Sequence, residues 1–291
     1  GAEEDSVARY RYLLNSYLTL DSIQSSIALY DSLGTATTRM QAQVEAASAQ
    51  GYASEQARLT LAEAQGVLAN ANYDASATAG LLARMAQALH DMEYAYQQGD
   101  GSRENPYVIM RPAQLDHMRD VLVKEQMVYF VLGADIDMAG YNWEQLNTQK
   151  NNYRYWISLD GQGHIISNLT PDGSKHNPSF FGVLCGECRN VGFLNARVES
   201  TMSTSAILCG YMGHSTYKDG EGNLLPVVVE NCYFEGTVTG KGYMGAVGGT
   251  LNYSPATIRD CYSNVQVLGT GTVGNYSGGM VGRLRTSLTI E

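Results

Sequence analysis

The sequence predicts a chain of two classes: an all-α up-down helical bundle over residues 1–98, a linker over 99–104, and a parallel β-helix over 105–291 with a helical cap at its start. Three observations carry this. The composition of the 291 residues breaks near residue 100: all six Pro, all five Cys and 25 of the 31 Gly follow it, whereas the first hundred residues are rich in Ala and Gln. Before the break, apolar residues recur at steps of three and four, the period of a helix that buries one face. After it, phrases recur at a period in the range of about 20–50 residues that marks stacked repeats. These phrases are rich in β-branched and aromatic residues and Gly, with no helical stripe.

In the first part, Leu13, Tyr17, Leu20, Ile23, Ile27, Tyr30 and Leu33 form one stripe, which predicts a helix ended by Gly34. A second, Ala-rich helix is expected over 39–50 and stopped by Gly51. Ser54 and Asp74 stand where they can N-cap a third and a fourth. The last of these has the stripe Leu82, Met85, Leu89, Met92, Tyr96, close to a heptad seam. Short polar links between helices imply antiparallel neighbours. Ala2–Ser6 reads as an acidic tether and Gly1 as a cloning remnant. The stop at Leu288–Glu291 falls inside a repeat, so the chain is expected to be a piece of a longer one.

Gln98–Ser102 is the expected linker, followed by a short strand at 105–110, a capping helix at 112–122 and a strand at 126–132. The clearest repeat comes last. Val228–Tyr233 returns as Thr257–Tyr262, 29 residues on, and begins again at Thr289. Each full copy is followed by a Gly-rich phrase ending in Gly-x-Leu, at Gly249–Leu251 and Gly282–Leu284, with fainter versions at Gly182–Leu184 and Gly210–Met212. The anchors Asn231 and Asp260 align with Asn190 and Asn168. The long interval between Asn190 and Asn231 holds the polar insertion 217–226, expected to loop out of the stack. No such layer buries its apolar face alone; the layers above and below do so through ladder hydrogen bonds about 4.8 Å apart.

Asn105–Ile109, Ala113–Leu115, Ala134–Met138, Trp143, Leu159–Leu169 and Phe180–Leu184, in this order, resemble the opening of GLUG-motif proteins, and Gly279–Gly282 resembles the repeat that names them. The resemblance implies a right-handed parallel β-helix on a secreted or surface-attached, adhesin-like bacterial protein. It transfers no catalytic residue. Leu59–Leu68 and the capped helix after it resemble helical repeats of the FIVAR type, found between modules of bacterial surface proteins, which implies a spacer.

The formal charge of −10 lies mostly in the first hundred residues, which hold 12 acids, 5 Arg and no Lys. Without a basic stripe, nucleic acid and anionic membranes are poor partners. No apolar run approaches the roughly 18–20 residues of a membrane span. Asp135, Asp137 and Asp160 are the carboxylates a polysaccharide-cleaving enzyme would use, yet they sit where Asp shapes turns. Asp219, Glu221, Asn223 and Glu230 mimic the offsets of a calcium loop, with Leu224 where that loop needs Gly; Glu230 is also accounted for opposite Arg259. Cys185, Cys188 and Cys209, with His214, invite a metal reading. Cys232 and Cys261 occupy equivalent positions, where Cys acts as a small buried hydrophobe, and that reading extends to all five, with one disulfide, for which Cys185 and Cys188 are the candidates, as an alternative beside the metal. His90, His117, His164 and His176 have no metal or triad spacing, and the Gly-rich phrases read as turns. The expected function is non-catalytic and cofactor-free: a surface module contacting a glycan or protein through Tyr217, Tyr243, Tyr253, Tyr276 and the 217–226 loop. A β-helix polysaccharide lyase or hydrolase and a purely structural stalk are the alternatives.

Overall fold

The computed structural model describes residues 2–70, 74–147, 154–201, 204–270 and 276–291, with the side chains of 2–8 and 10–22 outside the described set. The chain divides into two compact units, Gly1–Ala95 and Tyr96–Glu291.

The first unit holds α1 (Ala2–Ala49), α2 (Glu55–Asn70) and α3 (Ala75–Tyr94). Two expected breaks are absent. Ala2–Ser6 is helical rather than a tether, and Gly34 lies inside α1 rather than at its end. A mid-helix Gly costs about 1 kcal/mol relative to Ala. The helix carries it because buried Leu33, Thr37, Met40, Val44 and Ala47 continue one face straight through it. That face starts where the predicted stripe ends: Ile23 and Ile27 are exposed, and Leu13, Tyr17 and Leu20 lie outside the described side chains. The real stop is Gly51, with φ +81°. Tyr52 N–H bonds Ala47 O at 2.9 Å and Gly51 N–H bonds Ser48 O at 3.1 Å, the paired bonds of a Schellman end. Ser54 Oγ accepts from Ala57 N–H and Asp74 Oδ1 from Ala77 N–H, so both expected caps are made. On α3 the buried row is Thr78, Leu81, Met85, Ala88 and Met92, rotated from the expected stripe: Leu82 and Leu89 flank it, and Tyr96 belongs to the second unit.

Among its described residues that unit contains α4 (Pro112–Val121) and 19 strands in four sheets, every pairing between named strands being parallel. Sheet I is β1 (Tyr107–Ile109), β2 (Met127–Leu132), β4 (Trp156–Asp160), β7 (Gly186–Arg189), β11 (Val227–Glu230), β15 (Ala256–Arg259) and β19 (Leu288–Ile290). Sheet II is β3 (Ile136–Asp137), β5 (Ile165–Ser167), β8 (Gly192–Glu199), β12 (Tyr233–Gly240) and β16 (Tyr262–Gly269). Sheet III is β9 (Thr204–Ala206), β13 (Tyr243–Gly245) and β17 (Tyr276–Ser277). Sheet IV is β6 (Phe181–Leu184), β10 (Cys209–Met212), β14 (Gly248–Leu251) and β18 (Val281–Leu284). From β7 onward the chain visits sheets I, II, III and IV in that same cyclic order.

Because equivalent residues lie in register, side chains form columns. In sheet I, Phe130, Leu159, Cys188, Val229 and Ile258 are successive neighbours and all buried. In sheet II, Ile136, Ile166, Phe193 and Phe234 do the same, the two Phe rings stacked at 5.6 Å. Each fully buried Phe is worth about 1.5–3 kcal/mol of transfer free energy. In sheet IV the Gly-x-Leu phrases pair as read, Leu184 with Met212, then Leu251, then Leu284. Their glycines are strand residues rather than turns. A Cβ on Gly249 would lie 2.6 Å from Thr204 Cγ2, and one on Gly282 would lie 2.4 Å from Met244 N. Close approach between sheets, not positive φ, requires them.

The residues read as a linker are built into this unit: Val108 N–H bonds Gln98 O and Tyr129 N–H bonds Gly101 O. The Tyr96 ring stacks on Tyr107 at 4.5 Å, and its hydroxyl donates to Gln114 O. The helix α4 contributes buried Leu115 and Met118 to the same core as Ile109, Phe130 and Leu132.

Candidate functional site

The polar candidates resolve into two turn columns. In the first, Gly161, Asn190, Asn231 and Asp260 succeed one another: the N–H of each bonds the carbonyl of Arg189, Glu230, Arg259 and Glu291 in turn. Asn190, Asn231 and Asp260 have φ of 50–52°, the left-handed region that Asn and Asp tolerate best after Gly. Asn231 Nδ2 donates to Asn190 Oδ1, and Asn190 Nδ2 to Asp160 Oδ1, both at 2.9 Å. Asn168, aligned with this column from sequence, stands in a second one. Its Nδ2 donates to Asp137 Oδ1 and its Oδ1 accepts from Asn195 Nδ2. The two columns share left-handed Asn residues followed by an apolar residue, which is why they read as one.

These columns explain the carboxylates. Asp135 accepts from Ile165 N–H and pairs with His164 Nδ1 at 3.0 Å. Asp137 accepts from Ala139 N–H and Asp160 from Gln162 N–H. Bonds from Ile165 N–H and His164 hold the Asp135 carboxyl below its usual range; bonds from Asn168 and Ala139 N–H do so for Asp137. Asp219 closes its own loop, accepting from the Glu221 and Asn223 N–H groups and from Asn223 Nδ2, with the same downward effect. Glu230 pairs with Arg259 at 2.8 Å in the column Asp160, Arg189, Glu230, Arg259, and Arg259 lowers its pKa. No group of three or more His, Cys, Asp or Glu placed to hold a metal occurs among the described residues.

The five cysteines carry thiols rather than disulfides. Burial pushes the Cys185 thiol up to about 12 and raises that of Cys209; a main-chain hydrogen bond from His214 acts on Cys185 in the opposite sense. The Cys232 and Cys261 thiols donate to Glu230 O and Arg259 O, two residues before each in the chain.

The four tyrosines expected to meet a ligand separate. Tyr217 is only 4% exposed, its ring T-shaped against Trp156 at 5.4 Å, so it packs into the core at the base of the insertion rather than standing on the surface. The insertion leaves the core beyond it: Lys218 and Leu224 bridge, and Asp219–Leu224 are exposed. Tyr243 stacks on Tyr276 at 5.3 Å, and Arg283 lies over the Tyr243 ring at 4.5 Å while donating to its hydroxyl. A second stack, Tyr233 on Tyr262 at 5.3 Å and 5°, was not singled out in the sequence. Its signal was there, since both residues follow the repeated Cys. Tyr253 differs: it is 43% exposed and meets His214 edge-on at 5.5 Å.

Tyr253 belongs to a cleft of about 240 Å³ lined by His176, Asn177, Val183, Tyr211, His214, Asn252 and Tyr253. Sheet IV supplies Val183 and Tyr211, which pair in register across β6 and β10. Asn177 is held in left-handed conformation, and a Cβ on Gly210 would lie 2.3 Å from Asn177 Cβ. Ser179 Oγ donates to Asn177 O and accepts from Gly210 N–H at 3.0 Å, and Gln145 Nε2 donates to His176 O. The loop lining the cleft is thereby fixed to β10. Burial lowers the pKa of His214.

No family model matches the chain, and no curated protein does. A solved structure described as a "putative immunoglobulin A1 protease" from Bacteroides ovatus is similar, with 35% identity and a TM-score of 0.55 over 67% of this chain. The match spans 66% of that chain's length. The chain is thus similar, in sequence and in fold, to part of a protein of that description.

Proposed function

We propose that residues 105–291 form a right-handed parallel β-helix of GLUG-like repeats whose role is non-catalytic contact with a glycan or a surface protein. The helical unit then serves as a FIVAR-like spacer, and the whole acts on a bacterial surface or after secretion. The observation that favours this reading is how the polar side chains are used. Asp135, Asp137, Asp160, Asp219 and Glu230 are engaged by turn N–H groups, neighbouring amides or Arg259. Solvent along β16 instead meets Tyr262, Asn264 and Gln266, all exposed. A stack of layers offers such neutral groups as a rigid, regularly spaced face. The test is binding of the purified chain to a glycan array and to bacterial and host cell surfaces. Retention by some of them supports contact, and retention by none leaves a structural stalk. Sugar release from a polysaccharide panel would replace the reading with a lyase or hydrolase.

The similar structure's description favours a second reading, in which the chain is part of a protease acting on immunoglobulin A1. His164 with Asp135 has the form of a base and its orienting carboxylate, but a cysteine nucleophile needs a lowered thiol pKa and Cys185 has a raised one. Incubation with immunoglobulin A1 and electrophoresis of the heavy chain decides it.

A further inference from the structure

We infer that the cleft between Asn177 and Tyr253 is a binding site for a single uncharged sugar ring, such as a hexose or N-acetylhexosamine. This deepens the proposed surface-contact function and rests on it. Three observations carry the assignment. The lining holds two amides, two imidazoles and two phenols, from Asn177, Asn252, His176, His214, Tyr211 and Tyr253, and no Asp, Glu, Lys or Arg. Amide, imidazole and phenol groups each donate and accept, which suits hydroxyls, themselves donor and acceptor at once. Burial disfavours the charged form of His214, so near neutral pH that side of the cleft adds no charge; the cation beside the lining, Arg285, donates to Asn252 Oδ1 at 3.4 Å, and no acidic side chain in the lining offers an ammonium ligand a counter-ion.

The second observation is size. Pockets for drug-sized ligands run from roughly 300 to 1,000 Å³; at about 240 Å³ this one suits one ring, not an extended chain. The third is the aromatic geometry. Tyr233, Tyr262, Tyr243 and Tyr276 are stacked face to face in pairs, whereas Tyr253 lies outside these stacks, at 66° to His214 in the lining of the cleft and 43% exposed. Its apolar ring is thereby placed to meet the C–H side of a pyranose, beside the polar groups that would meet its hydroxyls. The site is also built rather than incidental, since Ser179, Gln145 and the absent Cβ at Gly210 hold its Asn177 side in place.

The test is saturation-transfer NMR on the whole chain with methyl glycosides of glucose, galactose, mannose, fucose and N-acetylglucosamine at millimolar concentration. Tyr253→Ala and Asn252→Ala are the site variants, with Gln126→Ala, at an exposed position outside both proposed contact regions, as control. The expected result is transfer to at least one neutral glycoside, reduced at least tenfold by Tyr253→Ala and by Asn252→Ala and unchanged by Gln126→Ala. No transfer to any of the five, or transfer that survives Tyr253→Ala, overturns the assignment. The same proteins and Tyr262→Ala on a glycan array separate this failure from that of the broader reading. Array binding that survives Tyr253→Ala and is lost in Tyr262→Ala refutes the cleft and keeps a contact surface. No array or cell-surface binding by the unaltered chain removes both.

Discussion

Replacing Asn231 separates two contributions that the turn column combines. Asn231 sits at φ 50° and donates to Asn190 Oδ1 at 2.9 Å in an exposed position. Asn231→Ala loses the bond and places an ordinary side chain in the left-handed region, which costs roughly 1–2 kcal/mol per residue. An exposed amide bond adds about 0.5 kcal/mol, the low end for a net hydrogen bond. The expected loss is therefore about 1.5–2.5 kcal/mol. Asn231→Gly loses the same bond but adopts the conformation freely, at the expense of about 0.5–1 kcal/mol of additional chain entropy. Its expected loss is about 1–1.5 kcal/mol, so Gly should be the milder change. Urea unfolding followed by tryptophan fluorescence measures this cleanly. The chain's two tryptophans, Trp143 and Trp156, both lie in the unit Tyr96–Glu291, so unfolding of the helical unit is silent. If Asn231→Ala unfolds at the same or a higher urea midpoint than Asn231→Gly, backbone conformation is not what selects Asn there, and the account of the column fails.

Phe234→Ala, removing a fully buried ring stacked on Phe193, should cost about 3–5 kcal/mol in the same urea assay; a loss under about 1 kcal/mol would mean the column is not packed as described. Tyr217→Ala should lower the thermal midpoint of the second unit without altering glycan or cell binding; lost binding at unchanged stability would return Tyr217 to the ligand-contacting set. Asp135, Asp137, Asp219 and Glu230 all have pKa values lowered in the folded chain. Their stabilisation is present above the unfolded value near about 4 and lost as pH falls through the folded one. The thermal midpoint should accordingly hold above about pH 5 and drop below about pH 4, with a shallower drop in Asp135→Asn. An acid limb equally steep in that variant would count against the bonds to Ile165 and His164. Thiol titration at pH 8 should label the native chain slowly and all five cysteines in denaturant, since burial holds Cys185 near 12; rapid native labelling of Cys185 would contradict its environment.

The parallel-strand part was legible because its repeats carry register directly. Cys232 and Cys261 are 29 residues apart in sequence and occupy successive layers, where Tyr262 N–H bonds Cys232 O at 3.0 Å. The errors came from features that period alone does not encode. Asn168 and Asn190 look alike because both sit in left-handed turns before an apolar residue, yet each belongs to its own column, and only the partners Asp137 and Asp160 distinguish them. Gly34 carries the local signal of a helix end, but tertiary burial of Leu33, Thr37 and Met40 overrides it, as packing commonly overrides propensity. Tyr217 looked exposed because its neighbours 218–223 are polar; its ring is needed to hold that loop against Trp156. The cleft gathers His176, His214 and Tyr253 from separate layers with no shared motif, so no sequence signal marked it.

On the proposed contact function, the parallel pairing of repeats also limits which tyrosine faces a ligand could reach. When the same aromatic recurs at one position in successive layers spaced about 4.8 Å apart, each ring covers a face of the next, as Tyr233 and Tyr262 do at 5° and Tyr243 and Tyr276 at 25°. Such a row presents edges and hydroxyls outward, and the Tyr233 hydroxyl is already engaged by Glu235 at 2.6 Å. Regular repetition thus stabilises the stack while covering one face of each paired ring. Tyr253 stands where the repeat breaks, at 66° to a histidine rather than stacked on a second tyrosine. A ligand that depends on ring faces should therefore be sensitive to Tyr253 and indifferent to Tyr243. The opposite sensitivity would mean that the Tyr243–Tyr276 stack opens in solution, a conclusion that loss of the Arg283 contact in Arg283→Ala would test directly by changing binding at Tyr243 alone.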